Sequence, residues 1–204
     1  RRRLSEIYDQ LYKRTQNWRD LSHLGLLMIS QNQVTAALER WNEGLTNAKP
    51  TRDARQAAGL TLVINSELRR WSELELAARL CIERKIRPLH RKSSLVPLKY
   101  LATALYEGGK QLMADKKFGK ASKKLAEFVR SFSKDRRRPD GMYRLAWAYR
   151  QSSQYPQSME TIRDYVETYP RQKQYANALF YGGSWAQEHA MEDEIIIYYT
   201  KYCT

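Results

Sequence analysis

The chain has 204 residues, 42% of them hydrophobic, with 36 Lys and Arg against 22 Asp and Glu. This length can bury a sizeable core, the apolar content argues against disorder, and no apolar run approaches the roughly 20 residues that span a bilayer. Two isolated cysteines, Cys81 and Cys203, exclude a disulfide framework or a zinc site and read as small apolar helix residues.

The chain opens with "RRRLSEIYDQ", without an initiating Met or an apolar signal segment, and so reads as an internal piece of a longer protein. Helical periodicity then dominates to the end, and β signals are nearly absent. All six prolines, Pro50, Pro88, Pro97, Pro139, Pro156 and Pro170, fall where helices should begin or end. A leading helix over 1–14 is followed by two divergent helix pairs over 15–86, a basic connector over 87–96 and three clearer pairs over 97–204. These together form a single stacked array over 1–204.

Self-similarity supports that division. "VTAALERWNEGL" and "WSELELAARLCI" align through Ala37 and Leu74, 37 residues apart. Ala121, Ser158 and Ile195 continue the series at two further steps of 37, and only the step from Leu74 to Ala121 is longer, at 47. The ten extra residues fall in "RKIRPLHRKSSLVP". Twelve residues before each anchor stand Gly25, Leu62, Gly109, Ala146 and Gly183, and four residues after stand Trp41, Ala78, Leu125, Ile162 and Tyr199. Small residues facing aromatic or aliphatic ones at this spacing describe two antiparallel helices packed closely. Such a pair cannot bury its apolar face alone, so pairs must stack. Glycine inside a helix costs about 1 kcal/mol relative to alanine, so its repeated placement points to close packing. The first glycines of "ALYEGG" and "ALFYGG", Gly108 and Gly182, read either as flexibility or as places where a partner's backbone comes close.

These units resemble tetratricopeptide repeats, most clearly in "LAWAYRQSSQYPQSMETIRDYVETYP", where Leu145, Ala146, Tyr149, Tyr155, Ser158, Ile162 and Pro170 match the motif. The step of 37 is similar to the longer variant of bacterial envelope-assembly proteins, of the outer-membrane barrel-assembly lipoprotein and periplasmic division-coordinator type. Leu62 and Ile195 depart from the pattern. The resemblance implies an all-α, right-handed superhelix of about five helix pairs, and suggests the bacterial cell envelope or periplasm as the setting.

It also implies that first helices line a groove for a protein or peptide segment. The groove positions are Thr103, Tyr106, Lys110 and Met113, then Tyr143, Trp147 and Arg150, then Asn177, Phe180, Ser184 and Gln187. Tyr106, Tyr143 and Trp147 read equally as groove or as core. The carboxylate clamp of some family members, an Asn after the first-helix glycine, is not supported, because Leu26, Lys110 and Ser184 stand there.

The charge is uneven. Residues 84–138 hold 17 basic and 4 acidic side chains. Within them, Lys117, Lys120 and Lys124 share the face of a second helix, beside Lys116 and Lys123. With Arg136, Arg137 and Arg138 in the next turn they describe an outward basic ridge. Such a ridge is a solvated face, or a contact for an acidic protein, anionic lipid or nucleic acid. The last helix, "EIIIYYTKYCT", should leave Ile196, Tyr199 and Tyr202 uncovered, so the parent chain continues there, or a partner or second copy stacks end to end. His23, His90 and His189 have no metal-ligand spacing, and no nucleophile or phosphate-loop signature occurs, so neither cofactor nor metal is expected. The reading is a non-catalytic interaction scaffold. Its alternatives are a nucleic-acid adaptor using the ridge and the substrate-presenting part of a larger enzyme.

Overall fold

A computed structural model describes residues 2–46, 51–91 and 93–203. Pro50 and Lys92, both used above, lie outside the described residues. The described residues are all-α apart from one minimal strand pair, and the chain divides into two compact units, Arg1–Ala104 and Leu105–Thr204.

In the first unit α1 (Arg2–Thr15) precedes two helix pairs, α2 (Trp18–Ser30) with α3 (Val34–Thr46) and α4 (Arg52–Glu67) with α5 (Trp71–Glu83). Asn17 caps α2 through the Arg19 amide, and Thr51 caps α4 through that of Ala54. The core is aliphatic and small: Leu21, Leu38, Leu45, Ala57, Ala58, Leu62, Leu74, Ala77 and Ala78 are buried, with Trp41 fully enclosed. After α5 the connector forms what the sequence did not announce, an antiparallel pair of two-residue strands, β1 (Leu89–His90) and β2 (Ser93–Ser94). Pro97 then opens α6 (Pro97–Ala114), which runs on into the second unit.

That unit continues with α7 (Phe118–Ser131), α8 (Arg138–Gln151), α9 (Tyr155–Thr168), α10 (Tyr175–Glu188) and α11 (Glu192–Cys203). Pro139 and Pro156 occupy the first turns of α8 and α9, where a missing N–H is harmless. Buried side chains from α8, α9, α10 and α11, including Met142, Ile162, Tyr165, Trp185 and Tyr198, make one continuous core.

One packing device recurs. A Cβ built on Gly25 would lie 2.3 Å from the Trp41 ring, one on Gly109 2.7 Å from Leu125, and one on Gly183 2.9 Å from the Tyr199 ring. These are the small and large columns of the sequence, sixteen residues apart each time. In the fourth pair Ser158 ties the two helices by donating its hydroxyl to the Ala146 carbonyl at 2.9 Å. Gly182 is explained the same way: its Cβ would meet the Tyr198 ring at 2.6 Å, so the position seats a neighbouring helix of the chain itself.

The turns within the pairs recur as well. Asn32, Arg69, Lys116, Ser153 and Ala190 all have positive φ, between 53° and 62°, and none is glycine. After each, an amide reaches back five residues to a helix carbonyl: Gln33 to Met28, Arg70 to Asn65, Lys117 to Leu112, Gln154 to Tyr149 and Met191 to Ala186, at 2.8–3.0 Å. This closes the helix with a left-handed cap that glycine would ordinarily fill. The apolar outer surface of α11 is open, with Ile196 64% and Tyr202 49% exposed, while Tyr199 is half-buried. Both cysteines are free, Cys81 buried and Cys203 exposed, so the apolar reading fits only the first.

Replacing Gly109 by Ala should lower stability by about 1–3 kcal/mol, because Leu125 is fully buried and has nowhere to move. Gly119→Ala, where a Cβ meets nothing within 4 Å, should raise it by about 0.5–1 kcal/mol. Urea unfolding of the two variants beside the parent measures both.

Candidate functional site

First helices of the second unit carry a shared polar hub. Asp140, in the first turn of α8, accepts the Tyr106 hydroxyl at 2.6 Å, the Arg144 Nε–H at 2.5 Å and the Gln174 amide at 3.2 Å. One carboxylate therefore links α6, α8 and the start of α10 through three donors. Burial, then the bond to Asp140, pushes the Tyr106 hydroxyl up to about 12. Its ring lies 5.3 Å from Phe128 and is flanked by the Lys110 ammonium at 5.1 Å and the Arg137 guanidinium at 5.2 Å.

Beside the hub is an aromatic cluster. Trp147 stands edge-on to Tyr181 at 4.8 Å and to Trp185 at 5.1 Å, Tyr143 is 5.7 Å from Tyr165, and Phe180 is 5.4 Å from Tyr181. Tyr143 and Trp147 are half-buried against the core and half open, whereas Phe180 is 47% exposed.

The expected groove residues thus separate into kinds. Tyr106 is core, 8% exposed, with only its edge and hydroxyl committed to the hub. Met113 packs half-buried beside Leu125 and Leu145. Lys110 is paired with Glu107 at 3.0 Å, and Arg150 with Glu188, its guanidinium 4.7 Å from the Tyr155 ring. Asn177, Phe180 and Gln187 are exposed along α10. Asp140, Arg144, Gln174 and Tyr181 were missed. The register contained the signal for Asp140, which lies 37 residues after Thr103 and 37 before Asn177.

The basic ridge is narrower than its sequence. Lys120, Lys123 and Arg130 are exposed along α7, Lys124 is partly buried, and Lys117 pairs with Asp115 at 3.6 Å. Arg136 is exposed, but Arg137 and Arg138 turn into the junction of α7 and α8. Arg137 grips Asp135 with its Nε at 3.0 Å and an Nη at 2.8 Å, and these bonds hold the Asp135 carboxyl below its usual range. Arg138 donates to the Val129 carbonyl at 3.1 Å and to the Tyr169 hydroxyl.

Among the described residues no cluster of three or more His, Cys, Asp or Glu is arranged to hold a metal ion, and no helix is long and apolar enough to cross a membrane.

Burial, the leading cause in each, also pushes the Tyr165 and Tyr198 hydroxyls up to about 12. For these two and Tyr106 the folded value exceeds the ordinary 10, so the stability they lend is intact below pH 10 and is lost as pH rises towards 12. Burial also raises Tyr12, Tyr100, Tyr143 and Tyr149, so in an alkaline titration seven of the 14 tyrosines should form tyrosinate late, these three last and together with loss of helical circular dichroism. Completion of tyrosinate absorbance while the helices persist would contradict this.

Residues 99–199 match the family model described as YfiO, outer membrane lipoprotein. Among solved structures, a Podosopora anserina protein described as a kinesin light chain with nearly identical TPR-like repeats aligns over 90% of this chain and 92% of its own. The identity is 13% and the TM-score 0.46. BtubC (BKLC) from P. vanneervenii aligns over 98% and 85%, at 12% identity and a TM-score of 0.47. No curated protein matches the chain.

Proposed function

Because the chain is built of tetratricopeptide-type repeats, we propose that it is a non-catalytic scaffold that docks an extended segment of a partner protein on the first-helix face of its second unit. The observation that carries this is the Asp140 hub. It fixes α6, α8 and α10 to one another and leaves Tyr143, Trp147, Tyr181 and Phe180 beside it as a rigid, partly open aromatic surface. Flat aromatics give large contact area at low entropic cost, and a surface already ordered loses little on binding.

Cations on this face are already neutralised, Lys110 by Glu107, Arg144 by Asp140 and Arg150 by Glu188. That favours a segment held by apolar, amide and main-chain contacts over an acidic one. The likeness of residues 99–199 to an outer membrane lipoprotein family favours assembly of an envelope complex as the setting. The exposed stripe of Lys120, Lys123 and Arg130 is suited to a second, anionic contact.

A photo-crosslinking residue at position 180 should capture a defined partner in producing cells, and the same residue at position 120 should not. With that partner purified, Phe180→Ala should weaken binding about tenfold or more without shifting the melting temperature, and Arg144→Ala, which also removes a bond of the hub, should weaken binding and lower that temperature. Log affinity should fall only shallowly with log salt. Unchanged affinity in both variants discards the docking face, and a steep salt slope that disappears in a Lys120→Glu, Lys123→Glu chain moves the contact to α7.

A further inference from the structure

Gly59 on α4 has an unusual neighbour. A Cβ there would lie 1.8 Å from the Leu89 carbonyl oxygen and 2.4 Å from its carbon, so main chain of the connector rests directly on the helix. One turn earlier on α4, Arg55 donates its Nε–H to the Arg87 carbonyl at 2.8 Å. Two carbonyls of one extended stretch, residues 87 and 89, therefore face the same stripe of α4. Ile86 and Pro88 are buried around them, and the Leu95 amide closes the hairpin on the Pro88 carbonyl at 2.9 Å.

The register says what stripe this is. Gly59 precedes Leu74 by fifteen residues, as Tyr106 precedes Ala121, Tyr143 precedes Ser158 and Phe180 precedes Ile195. Gly59 thus occupies, in its own repeat, the column that carries the core ring of Tyr106 and then two side chains of the docking face, Tyr143 and Phe180. The long step of 47 inserts ten residues after this repeat alone, and those residues supply the hairpin. Underneath, the helix pair has a core of its own, in which Ala54, Ala58, Leu62, Leu74 and Ala78 are fully buried with the hairpin in place.

We propose that the connector, through residues 87–91 and 93–95, is a built-in ligand of the second repeat. The hairpin is an extended segment held in cis on α4 at the column where the last two repeats offer Tyr143 and Phe180 to a partner, and it closes that repeat to other segments. Recognition runs through the main chain: a bare helix surface at Gly59 admits the carbonyl of residue 89, and Arg55 reads that of residue 87. The partner this stripe fits is an extended segment with a proline-flanked leucine, the chain's own. The inference rests on the docking role of that column.

The test uses the full chain and a fluorescent synthetic peptide of residues 86–96. Leu89→Gly with His90→Gly loosens the hairpin and leaves Arg55 and Gly59 intact. This opened chain should keep its helical circular dichroism, be cut by trypsin after Arg91 about tenfold faster or more, and bind the peptide. The parent should bind the peptide at least about tenfold more weakly, because its site is filled. Adding Gly59→Val to the opened chain should abolish binding, whereas Gly119→Ala should leave it unchanged. Arg55→Ala alone, a milder change, should already speed cleavage after Arg91. No binding to the opened chain, equal binding to the parent, or retention of binding with Gly59→Val overturns the proposal. Collapse of helix content on opening also overturns it, since the hairpin would then be core. None of these readouts involves Tyr143, Trp147 or Phe180, so this inference and the docking face of the second unit fail separately.

Discussion

What holds the first, third and fifth repeats together is a side chain of the second helix seated where the first helix has none. Trp41 over Gly25, Leu125 over Gly109 and Tyr199 over Gly183 are the same contact made three times with different side chains. An interior glycine costs a helix about 1 kcal/mol, and a large apolar side chain taken out of water contributes about 1.5–3 kcal/mol, so the exchange favours the packed pair. In the second pair the sizes are reversed, Leu62 on the first helix and Ala78 on the second, both fully buried. The constraint is on the sum of the two volumes, and the glycine is one way of meeting it.

Close pairing has a consequence for the rest of each first helix. Once one face is committed to its partner and another to the neighbouring pair, one stripe is left over, and the repeat step sets which residues fall on it. The five left-handed caps keep that phase from pair to pair, since each begins its second helix at the same offset from the first. In the second unit the stripe is polar at Asp140 and aromatic at Tyr143 and Phe180. In the repeat before the long connector it is bare at Gly59, and main chain fills it.

How much of this could be read from residues alone varied with the physics. The step of 37, the helix starts at Pro97, Pro139 and Pro156, and the small-against-large columns were all legible, because periodicity and proline act locally. The left-handed caps were not, since Arg69, Lys116 and Ala190 are residues that ordinarily avoid positive φ. Arg137 and Arg138 counted as ridge charges because composition registers a charge and not the direction of its side chain. Asp135, two residues before Arg137, is what turns it inward. Asp140 stands out less in the sequence than the aromatic residues around it. Its importance comes from three donors that lie 34 residues before, 34 after and four after it, a convergence only the packed helices create. The connector was legible as an insertion but not as a hairpin, because strands of two residues carry no propensity signal.

The bare stripe at Gly59 has a bearing on the lineage of the protein. With the Leu89 carbonyl only 1.8 Å from where a Cβ would stand, that glycine and the ten-residue insertion tolerate change only together. Homologues that lack the insertion are released from the glycine and are free to carry an aromatic there, as Tyr106, Tyr143 and Phe180 do in their own repeats. The pair should therefore covary as a unit. One residue in α4 would then report whether a relative has a segment thirty positions further along its chain.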